Sequence, residues 1–158
     1  MAAASLVGCV RGERDPVTPA APKETTMITA QPLMTLRLTT APLVTVGAVP
    51  HGTRSIFPIT GGTFEGARLR GRVLPGGADW ALLRSDGMTE LDLRITLETD
   101  DGALIHMTFD GLRGDAYFRT IPRFETAATK YLFLNRIVAV GSGEIGAGGP
   151  VHTFEEIL

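Results

Sequence analysis

Residues 47–80 read GAVPHGTRSIFPITGGTFEGARLRGRVLPGGADW, and this stretch decides the fold. It places eight glycines and three prolines between short apolar or alternating runs. Glycine reaches positive φ without a Cβ clash, so Gly61-Gly62 and Gly76-Gly77 are expected to form two tight turns. Between them TFEGARLRGRVL reads as one strand, with Gly66 and Gly71 as bulges or points of close backbone approach. Bulges and in-strand glycines curl a sheet, so the stretch is expected to form the bent wall of a β-barrel.

Strand signals continue on both sides. MTLRLTT alternates, with Met34, Leu36 and Leu38 on one face, and Pro42 interrupts before PLVTVG resumes. Pro50-His51-Gly52 reads as a turn, and Ser85-Asp86-Gly87 and Asp100-Asp101-Gly102 flank ELDLRITLET. That run puts Leu91, Leu93, Ile95 and Leu97 on one face and Asp92, Arg94, Thr96 and Glu98 on the other. ALIHMTFDG pairs with it, Leu112–Asp115 reads as a loop, and AYFRTIPRFET follows. TKYLFLNRIVAVGSGEI is expected to be a last long strand, before a tail, VHTFEEIL, that closes or caps the sheet. No window holds a 3.6-residue period for long, so little helix is expected. Eight to ten short strands at this spacing define an all-β chain with a single antiparallel β-barrel.

The totals exclude several classes. A chain of 158 residues suits one folded domain. Fifteen Lys and Arg against 17 Asp and Glu leave no basic footprint for nucleic acid. Only Lys23 and Lys130 are lysines, so arginine supplies almost all positive charge. The single cysteine, Cys9, allows neither an internal disulfide nor a cysteine-built zinc site. No apolar run approaches the roughly 18 residues of a membrane helix, so a soluble, cytoplasmic protein is expected. Leu6-Val7-Gly8-Cys9 superficially resembles a lipoprotein cleavage box, but no Lys or Arg precedes it and its apolar run is short. Residues 1–26 are therefore read as a disordered or mis-assigned extension, and residues 27–158 as the barrel domain.

The ordered motifs VGAVPHGTRSIFPITGG, EGARLRGRVLPGGADW, SDGMTELDLRITLETDDGALIHM and YFRTIPRFETAATKYLFLN resemble domain-of-unknown-function family 3237. The resemblance runs from about Pro32 to Leu158. It implies a closed or nearly closed antiparallel barrel, lipocalin-like in shape and often paired as a homodimer. It implies no particular activity.

A small barrel either holds one ligand or fills itself with side chains. Candidate ligand-binding residues are Arg54, Trp80, Arg94, Tyr117, Arg119, Arg123 and Asn135. Guanidinium groups beside Tyr117, Phe118 and Phe124 suit a planar anion through bidentate bonds and stacking. Against this, the aromatics also read as core and the arginines as partners of Glu125 or Asp79. Arg94 enters the lumen only if the leucine face of ELDLRITLET points outward. Asp79, His106 and Glu125 are the candidate catalytic groups. A carboxylate beside an indole gains a raised pKa by desolvation, and His106 sits mid-strand with Asp110. Each also has a structural reading, as a turn cap or a satisfied histidine. His51, His106 and His152 lack ligand spacing, so neither a metal nor a cofactor is expected. The partner expected is a small molecule. Isomerase, lyase or hydratase chemistry on a carbonyl or carboxylate compound, plain ligand binding, and a plugged structural module all remain open.

Overall fold

The computed structural model describes residues 27–158. Nine strands run in sequence: β1 (Ala30–Thr40), β2 (Val44–Val49), β3 (Gly52–Glu65), β4 (Arg70–Leu83), β5 (Thr89–Thr99), β6 (Leu104–Arg113), β7 (Phe118–Glu125), β8 (Val138–Gly146) and β9 (Gly149–Ile157). All pairings are antiparallel, in the order β1-β9-β8-β7-β6-β5-β4-β3-β2, and a further β1–β3 ladder closes the ring. The barrel proper therefore has eight strands, because β2 prolongs the line of β1 beyond Pro42 and pairs only with β3. The reading of residues 1–26 falls outside the described residues.

The deciding stretch folds as a barrel wall, but its glycines act differently from the expectation. Gly61-Gly62 and Gly76-Gly77 are not turns. They lie inside β3 and β4, where the register slips between Ile59 and Gly62 and between Leu74 and Ala78. The turn lies instead at Gly66, whose N–H donates to the Leu69 carbonyl over 2.8 Å. TFEGARLRGRVL is thus the tip of a hairpin, and its glycine pairs are corners where each long strand bends. Gly62 is required twice over. Its φ is 144°, and a Cβ there would strike the Arg37 carbonyl of β1.

A second expectation is overturned at residues 129–136. TKYLFLNR forms a 3-10 helix, not the start of a strand, and β8 begins only at Val138. Tyr131 and Leu134 are its buried residues, and both belong to the core. The Tyr131 hydroxyl donates to Asp101, over 3.0 Å, tying the helix to the β5–β6 turn.

Alternation decides which face fills the barrel. Leu91, Leu93, Ile95 and Leu97 of β5 point inward with Ile105, Met107 and Phe109 of β6, and all are buried. Phe118 and Phe124 of β7, Phe154 of β9 and Leu36 and Leu38 of β1 complete the same core. Burying each such side chain contributes about 1.5–3 kcal/mol. With the leucine face inward, Arg94 of β5 is exposed on the outside. The lumen reading of Arg94 is corrected accordingly.

Candidate functional site

The core does not fill the barrel to both ends. Toward the end where β3 starts and β4 finishes, the inward positions enclose a cavity of about 410 Å³. Its walls are largely apolar, from Leu38, Phe57, Ile59, Leu91, Leu93 and Phe118. Thr53 and Ser55 of β3, Asp79 of β4, Arg113 of β6 and His152 of β9 bring polar atoms to it. Every one of these is set by strand alternation. Asp79 shares a face with Ala81 and Leu83, Arg113 continues the face of Phe109, and His152 continues that of Phe154.

Asp79 is the one carboxylate lining this cavity. Burial pushes its pKa up to about 6, the opposing influences being an N–H bond from Asp92 and the charges of Arg113 and Arg54. The Asp92 amide donates to Asp79 Oδ1 over 3.1 Å, which fixes the orientation of the carboxyl group. Around neutral pH such a group exchanges its proton readily.

His152 is 1% exposed and stands among aromatic rings. Phe109 and Phe118 present edges to it at centroid distances of 4.9 and 5.0 Å, and Phe154 stacks at 5.9 Å. Burial alone lowers its pKa to about 4, so it is neutral at pH 7. Its Nδ1 is buried without a hydrogen-bond partner among the described residues. The ring as a whole lines the cavity, while the Nδ1 itself is closed to solvent.

The other sequence-derived candidates lie outside the barrel, in three places. His106 and Glu125 are register partners on β6 and β7, and with Arg123 and Asn135 they line an external trough of about 830 Å³. This trough is larger than the inner cavity but open, and its polar residues are exposed. Asn135 there serves the backbone, accepting from the Thr126 N–H and donating to the Thr126 carbonyl, each over 2.9 Å. Arg54, Trp80 and Arg94 gather on the outer face of β3–β5. Arg94 stands 5.4 Å from the Trp80 ring centroid and pairs with Asp92, and Arg54 donates to the Trp80 carbonyl. Tyr117 and Arg119 stand at the rim of the mouth, with the guanidinium 5.5 Å from the ring centroid. Of the ten candidates, Asp79 alone lines the inner cavity.

Arg113 and His152 were missed. Extending the alternation of ALIHMTFDG by two more pairs reaches Arg113 on the Phe109 face. The same count through VHTFEEIL puts His152 beside Phe154. Among the described residues no group of three or more His, Cys, Asp or Glu is arranged to hold a metal. No helix among them is long and apolar enough to cross a membrane.

A closed antiparallel ring of eight strands places the chain among small β-barrel proteins. Within that class the chain belongs to the family described as "Protein of unknown function (DUF3237)", whose profile matches residues 28–116 and 113–156. A UPF0311 protein of Rhodopseudomonas palustris is 34% identical over 134 residues, spanning 73% of this chain and 88% of its own. Among solved structures, a beta-barrel like protein from Acinetobacter baumannii superimposes with a TM-score of 0.81 at 36% identity, covering 86% of this chain and 99% of that one. A structure described as an enzyme from Penicillium herquei, 23% identical, shares the fold with a TM-score of 0.75 over 87% of this chain and all (100%) of its own.

Proposed function

We propose that the mouth cavity takes up one small organic molecule and that Asp79 moves a proton on it without a cofactor. The observation that carries this reading is the inward Asp79 carboxyl, held by the Asp92 amide and raised by burial to about 6. A carboxyl group so placed donates and recovers a proton near neutral pH, as isomerases, lyases and hydratases require. His152, neutral and part of the cavity lining, offers the bound molecule a second hydrogen bond. The substrate class that fits is a carbonyl or carboxylate compound with an apolar body, because leucine, isoleucine and phenylalanine supply eight of the eighteen lining residues.

The test is native mass spectrometry of the purified protein, to identify retained metabolites, followed by incubation of the retained compound in deuterated water. Wild-type protein is expected to exchange or convert it, and Asp79→Asn to slow the step by about 100-fold or more. Retention with no exchange or turnover by wild type would point to the second reading, a non-catalytic binding barrel. That reading draws support from the apolar wall.

The same proposal takes the protein as a cytoplasmic homodimer. Its support is β2, an edge strand, VTVGAV, without a charged residue and with Val44 and Val46 exposed. Such edges attract a further strand. Light scattering that finds a monomer at micromolar concentration removes the dimer from the proposal.

A further inference from the structure

The rim of the cavity carries a feature that proton transfer at Asp79 leaves unexplained. Arg113 is the last inward residue of β6, and Arg119 follows Phe118 on β7, where Arg113 and Phe118 are register partners. Both residues line the hollow over the mouth, Arg113 from the inner face of β6 and Arg119 from the outer face of β7. Arg113 lies 6.0 Å from the Phe118 ring centroid and Arg119 lies 5.5 Å from that of Tyr117. Arg119 donates to the Phe118 carbonyl over 2.9 Å, which holds its fork at the rim. Neither arginine has an ion-pair partner among the described residues, whereas Arg68, Arg70, Arg72, Arg84 and Arg94 each meet a carboxylate. Asp115 and Glu144 line the same hollow without forming an ion pair with either arginine, so both guanidinium groups stand at the entrance unengaged by a carboxylate. Within the cavity below, His152 is a polar lining residue that is uncharged at pH 7.

We infer that the ligand is an amphipathic monocarboxylate. Its anionic end lies between Arg113 and Arg119, and its apolar body runs inward past Leu91 and Phe118. A neutral hydroxyl or carbonyl group at the far end meets His152. The inference rests on the cavity reading given above and names the substrate class. A carboxylate matches the planar fork of guanidinium, and stacked arginines retain bidentate donors for it. A phosphate dianion fits less well. The rim residues include no lysine, and Asp79 adds carboxylate charge below it as pH rises. A carboxylate at the mouth also favours the protonated form of Asp79, the form that donates.

The decisive comparison uses 3-(4-hydroxyphenyl)propanoate, its methyl ester and 4-hydroxyphenyl phosphate, titrated calorimetrically into the whole chain at pH 7. The acid is expected to bind at least about tenfold more tightly than the ester, with the gap shrinking as salt rises. Arg113→Ala and Arg119→Ala are each expected to narrow that gap, and Arg113→Lys to retain part of it. Both side chains are exposed, so these variants are expected to fold, which circular dichroism verifies. Equal binding of acid and ester overturns the carboxylate while leaving the cavity reading standing. So does an unchanged gap in either alanine variant, or tighter binding of the phosphate. Failure of all three probes to bind overturns this inference and the cavity reading together.

Discussion

Replacing Asp79 by Asn makes stability respond to pH in a way that isolates the buried carboxyl. In the native state its pKa is raised from 3.8 to about 6, chiefly by burial. Between those values the folded protein holds a proton that the unfolded chain has already released. Stability therefore falls as pH rises through that window, and the penalty is complete above about pH 6. At about 1.4 kcal/mol per pH unit the penalty reaches at most about 3 kcal/mol. Asparagine is neutral throughout, and its side-chain oxygen can still accept the Asp92 N–H. Asp79→Asn is thus expected to be more stable than wild type by about 1–3 kcal/mol at pH 7.5, with the advantage vanishing below pH 4. His152 tilts the other way. Its pKa is lowered from 6.5 to about 4, so the unfolded chain binds the extra proton and stability falls as pH drops across that range. Between pH 4 and 6 the two effects oppose each other, and wild type alone reveals little. Urea denaturation of both proteins from pH 3.5 to 8, subtracted pairwise, separates them. A difference that stays flat with pH, or an asparagine variant weaker than wild type at pH 7.5, refutes the buried acid.

Three further outcomes follow from the geometry. The imidazole nitrogens of His152, read by ¹⁵N chemical shift, are expected to remain those of a neutral ring down to about pH 5; an ordinary midpoint near 6.5 contradicts the aromatic enclosure. Gly62→Ala meets both a φ of 144° and the Arg37 carbonyl, and is expected to cost well over about 1 kcal/mol in chemical denaturation. Gly76→Ala shares the strain of a positive φ, 108°, but has open space and is expected to cost less, so the reverse order would discredit the close approach of Gly62 to Arg37. Arg123→Ala, on the outer trough, is expected to shift stability by no more than about 0.5 kcal/mol and to leave probe binding unchanged. A tenfold loss of binding would return that trough to consideration.

Much of the fold was legible because a pleated strand writes its two faces into alternate residues. ELDLRITLET sorts its residues onto two faces but leaves open which one is inward, and the turns at Ser85–Gly87 and Asp100–Gly102 stand where the glycines allow. Glycine pairs were harder to read, since the same conformational freedom serves a turn or an in-strand bulge. Only cross-strand register distinguishes them, and Gly62 owes its place to the Arg37 carbonyl of a strand more than twenty residues away. The 3-10 helix was misread because TKYLFLN is rich in strand-compatible residues, while its hold on the core runs through Tyr131 and Asp101. At the site, Asp79 stands out in sequence beside Trp80, yet that indole lies on the outer face and burial in the barrel mouth is what raises the carboxyl. His106, Arg123 and Glu125 were plausible chemistry on the outer face, and nothing local tells inside from outside until one strand is anchored. Arg113 lay in a segment read as loop, so its alternation was never counted.

The solitary position of β2 bears on one border of the cavity. Above Arg37 and Val151 the β1–β9 ladder ends, while β2 stays hydrogen-bonded to β3 alone. Thr40, Gly149 and Pro150, which border that parting, also belong to the cavity lining. At that edge Gly149 lies so close to the Leu38 carbonyl that any side chain there would push β9 away from β1 and deform the cavity's border.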